Sequence, residues 1–242
     1  MNKNYKKWLI ISIIIIITLA LGLGLGLGLG LKKKDTRGED TRGDFSEIFD
    51  STKIDIPLDK RCIDSSFKGT SDPDHEQGEC SMTFKIIPKC KNVLEIGGGL
   101  GKVSHFININ LKNPYNHVVM EPAVNSKNNT GDWKIGKYLI ENKKNHGDKY
   151  TIIPKFATEL TKKDLKILGG PPDCLYVDCE GCLLGFLKSD IGKFVLKSLR
   201  FVVNEMDGNN DEIDKILKKN GFKLKHVGYG CGKICYTNVY QR

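Results

Sequence analysis

Residues 93–101, Val-Leu-Glu-Ile-Gly-Gly-Gly-Leu-Gly, are the stretch that decides the fold. The first four residues predict a short buried strand, and the glycines predict a tight loop leading into a helix over about 101–112. Gly97, Gly99 and Gly101 allow the backbone to turn sharply and to approach a ligand without interference from Cβ atoms. The spacing departs from the G-x-G-x-x-G of dinucleotide sites, because Lys102 stands where the last glycine belongs. The loop alone leaves open a ligand site or a plain turn.

Strand and helix patterns alternate from Cys90 onward, which is typical of a parallel sheet covered on both faces. The predicted strands are 92–96, 117–121, 150–154, 173–178 and 200–205. The predicted helices are about 101–112, 131–144, 161–168, 182–198 and 210–220. Two final apolar runs, 222–227 and 233–240, flank a glycine-rich turn over 228–232. We therefore expect an α/β fold whose mainly parallel twisted sheet ends in an antiparallel hairpin.

The predicted second strand ends in Glu121, followed by Pro122. Ligands of open α/β sheets lie beyond the carboxyl ends of the strands, and Glu121 follows the glycine loop at the distance typical of a ribose-binding acid. A carboxylate accepts hydrogen bonds from two neighbouring hydroxyls. We interpret Glu121 as a ribose ligand, with a solvent-facing strand end as the alternative. After the third strand, Phe156 or Ala157 is predicted to line an adenine pocket.

Three acidic residues follow the fourth and fifth predicted strands. Strand alternation predicts that Asp178 and Glu180 lie on the same side, and Glu205 ends the fifth strand. Carboxylates held together at a cleft disfavour joint ionisation, so one is predicted to have a raised pKa and to act as a base. The alternatives are that Glu180 caps the following helix or that the acids hold Mg²⁺. We favour positioning of a substrate hydroxyl and expect no resident metal.

Four elements together resemble the FkbM-type S-adenosylmethionine (SAM)-dependent methyltransferases. They are the acidic-glycine loop from Glu95 to Gly101, Glu121-Pro122, Asp178-Cys179-Glu180-Gly181 and Val203-Asn204-Glu205. The resemblance covers about residues 90–242. It implies a Rossmann-like class I methyltransferase fold, SAM as methyl donor, and a hydroxyl acceptor, often on a sugar or polyketide-like compound. Cys179, Cys182 and the additional Gly98 depart from the family pattern.

On this resemblance, the cofactor-binding candidates are Glu95, Gly97, Gly99, Gly101, Glu121, Phe156 and Ala157. The catalytic candidates are Asp178, Glu180 and Glu205. Methyl transfer from a sulfonium requires mainly alignment and deprotonation of the acceptor. The predicted function is O-methylation, with a sugar or glycan as the expected acceptor. A catalytically inactive methyltransferase-fold binding module at a membrane is the alternative, and the failed dinucleotide spacing disfavours a reductase.

An uncharged apolar stretch, residues 9–31, is long enough to cross a bilayer as a helix. We predict a single-pass membrane protein with an N-terminal flank over 1–8. The glycines at 22, 26 and 30 have small-xxx-small spacing, which suggests a homodimer through this helix, with a low-complexity expansion as the alternative. Lysines flank both ends. The positive-inside rule slightly favours a cytosolic domain, whereas glycan maturation favours the lumen, so the orientation stays open.

Residues 32–44 are charged and lack apolar periodicity, which predicts a solvated linker. Residues 45–89 form a lead segment before the predicted methyltransferase domain at 90–242. The net charge of +9 is partly due to Lys3, Lys6 and Lys7 in the anchor region. We interpret the remaining basic excess as solvated helix faces and expect no nucleic-acid partner.

The cysteine pattern permits either disulfides or zinc. The eight cysteines include Cys179-x2-Cys182 and Cys231-x3-Cys235, which have zinc-compatible spacing. We expect Cys174 and Cys179 to behave as small core residues, because both belong to or end a predicted buried strand. Whether Cys231 and Cys235 are bridged stays open.

Overall fold

A computed structural model of the chain describes residues 54–125, 131–206, 210–230 and 235–242. Its helices are α1 Gln77–Ile86, α2 Lys102–Asn110, α3 Gly131–His146, α4 Cys182–Lys188, α5 Asp190–Leu196 and α6 Asp211–Lys219. Its 3-10 helices are Lys60–Cys62, Ile87–Lys89, Pro122–Asn125, Ala157–Glu159 and Asp164–Leu168. Its strands are β1 Val93–Ile96, β2 His117–Met120, β3 Thr151–Ile153, β4 Cys174–Val177, β5 Phe201–Met206, β6 Lys223–Gly230 and β7 Cys235–Gln241.

The strands form one sheet in the order β3-β2-β1-β4-β5-β7-β6. The first five strands of the chain pair in parallel, whereas β7 runs antiparallel to both β5 and β6. The predicted parallel sheet and terminal hairpin are therefore confirmed. The strand order changes direction between β1 and β4, so the loops after these two strands meet at the switch point where open α/β sheets bind ligands.

Both faces of the central strands are buried, which explains their nearly continuous apolar sequences. Leu94 and Ile96 of β1 belong to a core that includes Leu183 and Val195 from α4 and α5. Val93, one residue earlier, belongs to a second core whose members on the opposite face include residues of α1 and α2. Packing on both faces holds the strands in place, and the strands in turn fix the positions of the loops at the carboxyl edge of the sheet.

Two helix predictions differ from the structure. The region 161–168 forms only the 3-10 helix Asp164–Leu168, which ends at Gly169 in the left-handed conformation. The single helix predicted over 182–198 is divided into α4 and α5 at Ser189. The Ser189 hydroxyl accepts a hydrogen bond from the Gly192 amide and caps α5. A Cβ at Gly192 would lie 1.9 Å from the Phe186 carbonyl oxygen, so the two short helices pack closely at this break.

The lead segment packs onto the sheet instead of standing apart from it. α1 contacts α2 and β6, so the described part of the lead segment belongs to the same compact unit as the sheet. A Cys62–Cys80 disulfide joins the 3-10 helix Lys60–Cys62 to α1. The side chain of Lys102, which follows the glycine loop, donates hydrogen bonds to the carbonyls of Pro73 (2.8 Å) and His75 (2.6 Å). These bonds hold the loop before α1 against the glycine loop.

The predicted anchor at 9–31 and linker at 32–44 lie outside the described residues. Across the ranges that the structure does describe, none of the helices has the length and apolar character needed to span a membrane.

Candidate active site

Gly97 and Asp178 lie side by side at the switch point. The Gly97 amide continues the pairing of β1 with β2 by donating to Met120, and the Asp178 amide continues the pairing of β4 with β1 by donating to Ile96. Gly97 has a φ of +88°, and a Cβ there would lie 1.5 Å from the Asp178 carbonyl oxygen. This close approach of two strand ends requires glycine.

Gly99 and Gly101 complete the turn into α2, with φ values of +49° and +85°. The Gly101 amide donates to the Gly98 carbonyl, which closes the loop. A Cβ on Gly101 would lie 2.9 Å from Leu139, whereas one on Gly99 would meet nothing nearer than Glu76 Oε1 at 3.5 Å. The loop is therefore packed tightly against Leu139 at Gly101, whereas Gly99 is less crowded and has only the Glu76 carboxylate within contact distance.

Glu121 extends from the end of β2 to the same loop. Its Oε2 accepts a hydrogen bond from the Gly99 amide at 3.2 Å, and its Oε1 accepts one from the Ala123 amide at 2.9 Å. Burial raises the pKa of Glu121, whereas the backbone amides favour its ionised form. A carboxylate has about four acceptor positions, so each oxygen retains capacity for a ligand hydroxyl.

Glu95 lies beneath the loop. Its side chain is buried in the sheet, where Oε1 accepts a hydrogen bond from the Ser104 hydroxyl at 2.8 Å and Oε2 lies 2.8 Å from His117 Nε2. These contacts link β1 to β2 and α2. The structure thus gives Glu95 a role in supporting the loop, and its direct contact with a cofactor stays a prediction.

Asp178 and Glu205 meet at the ends of β4 and β5, where their side chains share a hydrogen bond. Burial, followed by the proximity of Glu205, raises the pKa of Asp178 well above its ordinary range. Two adjoining carboxyl groups in a poorly solvated position retain one proton between them more easily than they lose both. The raised pKa of Asp178 therefore favours a state in which the two carboxyl groups share one proton.

Glu180 takes a different position from the one that strand alternation predicts. β4 ends at Val177, and Glu180 is exposed in the left-handed conformation with a φ of +52°. The partner of Asp178 is consequently Glu205. Gly181, and not Glu180, occupies the N-cap position of α4, and the capping alternative for Glu180 stays a prediction. Glu180 stays a catalytic prediction at the rim of the site.

Cys179 is not the simple core residue that the sequence predicts. It forms a disulfide with Cys182, and the two cysteines close a small ring around Glu180 and Gly181. This bond also removes the zinc interpretation of the Cys-x2-Cys pair. Cys174, in contrast, is a free and fully buried thiol in β4, as predicted.

Phe156 and Ala157 follow β3 on the same edge of the sheet. Phe156 is 63% exposed, whereas Ala157 is buried and belongs to the core that Leu160 and Leu183 share. An exposed aromatic ring at this edge is available to a planar ligand. The adenine-pocket assignment of both residues stays a prediction.

The lead segment adds a carboxylate that sequence reasoning did not assign. Glu79 of α1 is 1% exposed, its Oε1 accepts a hydrogen bond from the Thr237 hydroxyl, and its backbone carbonyl accepts one from the Tyr176 hydroxyl. Burial, opposed by the Thr237 bond, raises the pKa of Glu79 to about 7, and the charges of Glu205 and Glu76 act in the same direction as burial. The Cys62–Cys80 disulfide joins two parts of the lead segment to each other, so the cysteines give no sequence signal that Glu79 reaches the domain.

The acidic residues do not form a recognisable metal centre. Among the residues that the structure describes, no three His, Cys, Asp or Glu side chains are arranged to hold a metal ion.

Comparison with known proteins identifies the fold. No family model matches the chain, and no curated protein matches it. Among solved structures, it is similar to a precorrin-6y C5,15-methyltransferase from Geobacter metallireducens GS-15. The TM-score is 0.50 at 14% sequence identity, over 74% of this chain and 95% of that chain. The chain has a Rossmann-like methyltransferase fold.

Two further solved structures are similar to the chain at lower TM-scores. A protein in the NADB-Rossmann superfamily from Streptococcus agalactiae is 16% identical over 68% of this chain and 67% of its own, with a TM-score of 0.49. Fibrillarin from Aeropyrum pernix, solved with natively bound SAM, is 14% identical over 62% of this chain and 66% of its own, with a TM-score of 0.44.

Proposed function

We propose that this chain is a SAM-dependent methyltransferase of the FkbM type that transfers the methyl group to a hydroxyl. One observation carries the proposal: the Glu121 carboxylate is bonded to Gly99 of an open glycine loop, beside the Asp178–Glu205 pair. The glycine loop, Glu121 and this carboxyl pair lie at the carboxyl edge of one parallel sheet, which is the position that supports these roles.

Each residue has a distinct role in this proposal. Gly97, Gly99 and Gly101 shape the pocket for the methionine part of SAM, and Glu121 accepts hydrogen bonds from the ribose hydroxyls. SAM supplies, when bound, a methyl group already activated by its positively charged sulfur. The protein therefore has to align the acceptor oxygen and to take up its proton. Asp178 and Glu205 orient the acceptor hydroxyl, and the negative charge that they share receives the proton.

The acidic rim also bears on the class of acceptor. Glu76 and Glu205 each raise the pKa values of Glu79 and Asp178, so the four carboxyl groups lie in one region near the strand ends, with Glu79 buried beneath its surface. Such a rim repels the phosphates of a nucleic acid and accepts hydrogen bonds from hydroxyl groups. A neutral polyhydroxyl acceptor such as a glycan fits this chemistry better than RNA does.

The binding of SAM to the full chain is the first test. Calorimetry with SAM, NAD⁺ and NADPH is expected to show binding of SAM alone. Binding of a dinucleotide without SAM would replace the proposal with a reductase. SAM binding with no S-adenosylhomocysteine produced in a screen of glycosides, lipids and peptides would favour a binding module.

The catalytic roles require a separate test. An Asp178→Asn, Glu205→Gln double variant is expected to retain SAM binding and to lose most of its turnover, because the acceptor hydroxyl is no longer oriented or deprotonated. Wild-type turnover in this variant would show that the assignment of the base is wrong.

We further propose that the domain faces an oxidising compartment and is held at a membrane by residues 9–31. Two disulfides, Cys62–Cys80 and Cys179–Cys182, support the compartment, since disulfides persist mainly in secreted, lumenal and surface proteins. This supports the lumenal orientation that glycan modification also favours. Protease protection of the domain in sealed vesicles measures the orientation directly, and digestion by a protease added from the cytosolic side would contradict it.

A further inference from the structure

The segment before α1 places a carboxylate above the glycine loop. Glu76 directly precedes α1 and has a left-handed backbone with a φ of +57°. Its Oε1 is the nearest atom to the position that a Cβ on Gly99 would occupy, at 3.5 Å. Glu76 therefore faces the least crowded part of the glycine loop, on the side where a ligand would bind.

The position of Glu76 is held from below by Lys102. This lysine is fully buried, and its hydrogen bonds to the carbonyls of Pro73 and His75 fix the two turns that lead to Glu76. Its ammonium group is thus already engaged with backbone oxygens. Burial lowers the pKa of Lys102, whereas Glu76 and nearby aspartates favour its charged form.

Glu76 already stabilises positive charge beside it. Its Oε1 lies 3.3 Å from His75 Nε2, and this contact raises the pKa of His75. Glu76 also raises the pKa values of Glu79 and Asp178, so several carboxyl groups share its neighbourhood. Because the Lys102 ammonium group is already bonded to backbone oxygens, this excess of acidic groups favours a further cation near Gly99.

We propose that Glu76 binds the α-ammonium group in the methionine part of SAM. This inference rests on the proposed function. SAM carries two positive centres, the sulfonium and the α-ammonium, but only the ammonium has N–H groups to donate. A charged N–H···carboxylate hydrogen bond is shorter and stronger than a neutral one. The lead segment, outside the region that resembles the methyltransferase family, thereby contributes to cofactor binding.

Calorimetry with three ligands on the full chain distinguishes a contact between Glu76 and the ammonium group from a contact with the sulfonium and from simple support of the loop. SAM has both positive centres, S-adenosylhomocysteine retains only the ammonium, and 5′-methylthioadenosine has neither. The substitution Glu76→Gln is expected to weaken the binding of SAM and S-adenosylhomocysteine by about tenfold each, since a hydrogen bond between charged groups is replaced by a neutral one. The binding of 5′-methylthioadenosine is expected to be unchanged.

A matched control comes from α6. Glu212 is an exposed carboxylate that pairs with Lys188, so Glu212→Gln removes the same charge elsewhere and is expected to leave all three affinities unchanged. Glu76→Asn serves as a second variant, because asparagine tolerates the left-handed backbone. Thermal unfolding of each variant checks that the fold is retained.

Several outcomes would overturn the assignment. Weakened binding of SAM alone would place Glu76 near the sulfonium, and equal weakening of all three ligands would show that it only supports the loop. Unchanged binding of SAM by both Glu76 variants would exclude a contact. If the wild-type chain binds none of the ligands, the proposed function itself fails, which is a distinct result.

Discussion

Gly97 belongs to the glycine loop of the candidate site and also lies where the ends of β1 and β4 meet. Its backbone is left-handed, and a Cβ added to it would lie only 1.5 Å from the Asp178 carbonyl oxygen, so there is no room for a side chain. We expect Gly97→Ala to separate the ends of β1 and β4. SAM binding is then expected to be lost in calorimetry, and the free energy of unfolding to fall by more than about 2 kcal/mol.

Gly185 provides the control for this substitution. It lies within α4 and is exposed, and a Cβ there would meet nothing closer than Thr158 at 4.0 Å. Gly185→Ala is expected to stabilise the fold by about 0.5–1 kcal/mol through the higher helix propensity of alanine. Normal SAM binding by Gly97→Ala would mean that the loop is not the cofactor cradle.

At the scale of the elements, periodicity predicts the sheet better than it predicts the helices. The strands have apolar residues on both faces, and this signal locates every parallel strand to within one or two residues. Helix ends depend on capping contacts, which apolar periodicity does not register. The break at Ser189 is marked by a local signal, the serine hydroxyl that caps α5, and not by the spacing of the apolar residues.

The site is predictable only where it follows a strand. Gly97, Glu121, Asp178 and Glu205 lie at strand ends, so topology brings them to one edge. Glu76 and Glu79 precede the first strand, and their positions depend on Lys102 and the Cys62–Cys80 disulfide. The prediction that Glu180 lies on the inner side with Asp178 is wrong because β4 ends before it. Sequence alone does not show these tertiary connections.

The lead segment is held by the Cys62–Cys80 disulfide, which spans 18 residues. Closing a loop of this length restricts the unfolded chain and contributes about 3 kcal/mol. A Cys62→Ala, Cys80→Ala double variant is therefore expected to lose about 2–4 kcal/mol of unfolding free energy, measured by denaturant titration without reductant.

Reduction provides the comparison for the double variant. The wild-type chain treated with dithiothreitol is expected to lose at least as much stability as the double variant, because Cys179–Cys182 is also cleaved. Mass spectrometry of unreduced peptides checks both pairings. Peptides that contain free Cys62 and Cys80 would contradict the expected connectivity.

At the scale of the whole molecule, the site concentrates negative charge within a chain whose formal net charge is +9. The buried carboxyl groups of Glu79 and Asp178 have raised pKa values, so the folded state binds protons that the unfolded state releases. Their contribution to stability is complete at low pH and is lost as the pH rises. Carboxyl groups with raised pKa values make the folded state less stable as the pH rises. Carboxylates in ion pairs, whose pKa values are lowered, have the opposite effect.

Glu79 makes this pH dependence measurable. Its pKa of about 7 in the folded chain exceeds the ordinary value of 4.5, so between these values the folded state holds the extra proton. The unfolding free energy attributable to Glu79 is expected to fall by about 3 kcal/mol as the pH rises from 4.5 to above 7. Glu79→Gln cannot ionise and keeps an acceptor for Thr237, so its stability relative to wild type is expected to increase over this range. Denaturant titrations of both proteins at pH 5, 6, 7 and 8 measure the difference, and parallel pH profiles would show that Glu79 is already ionised in the folded chain at pH 5.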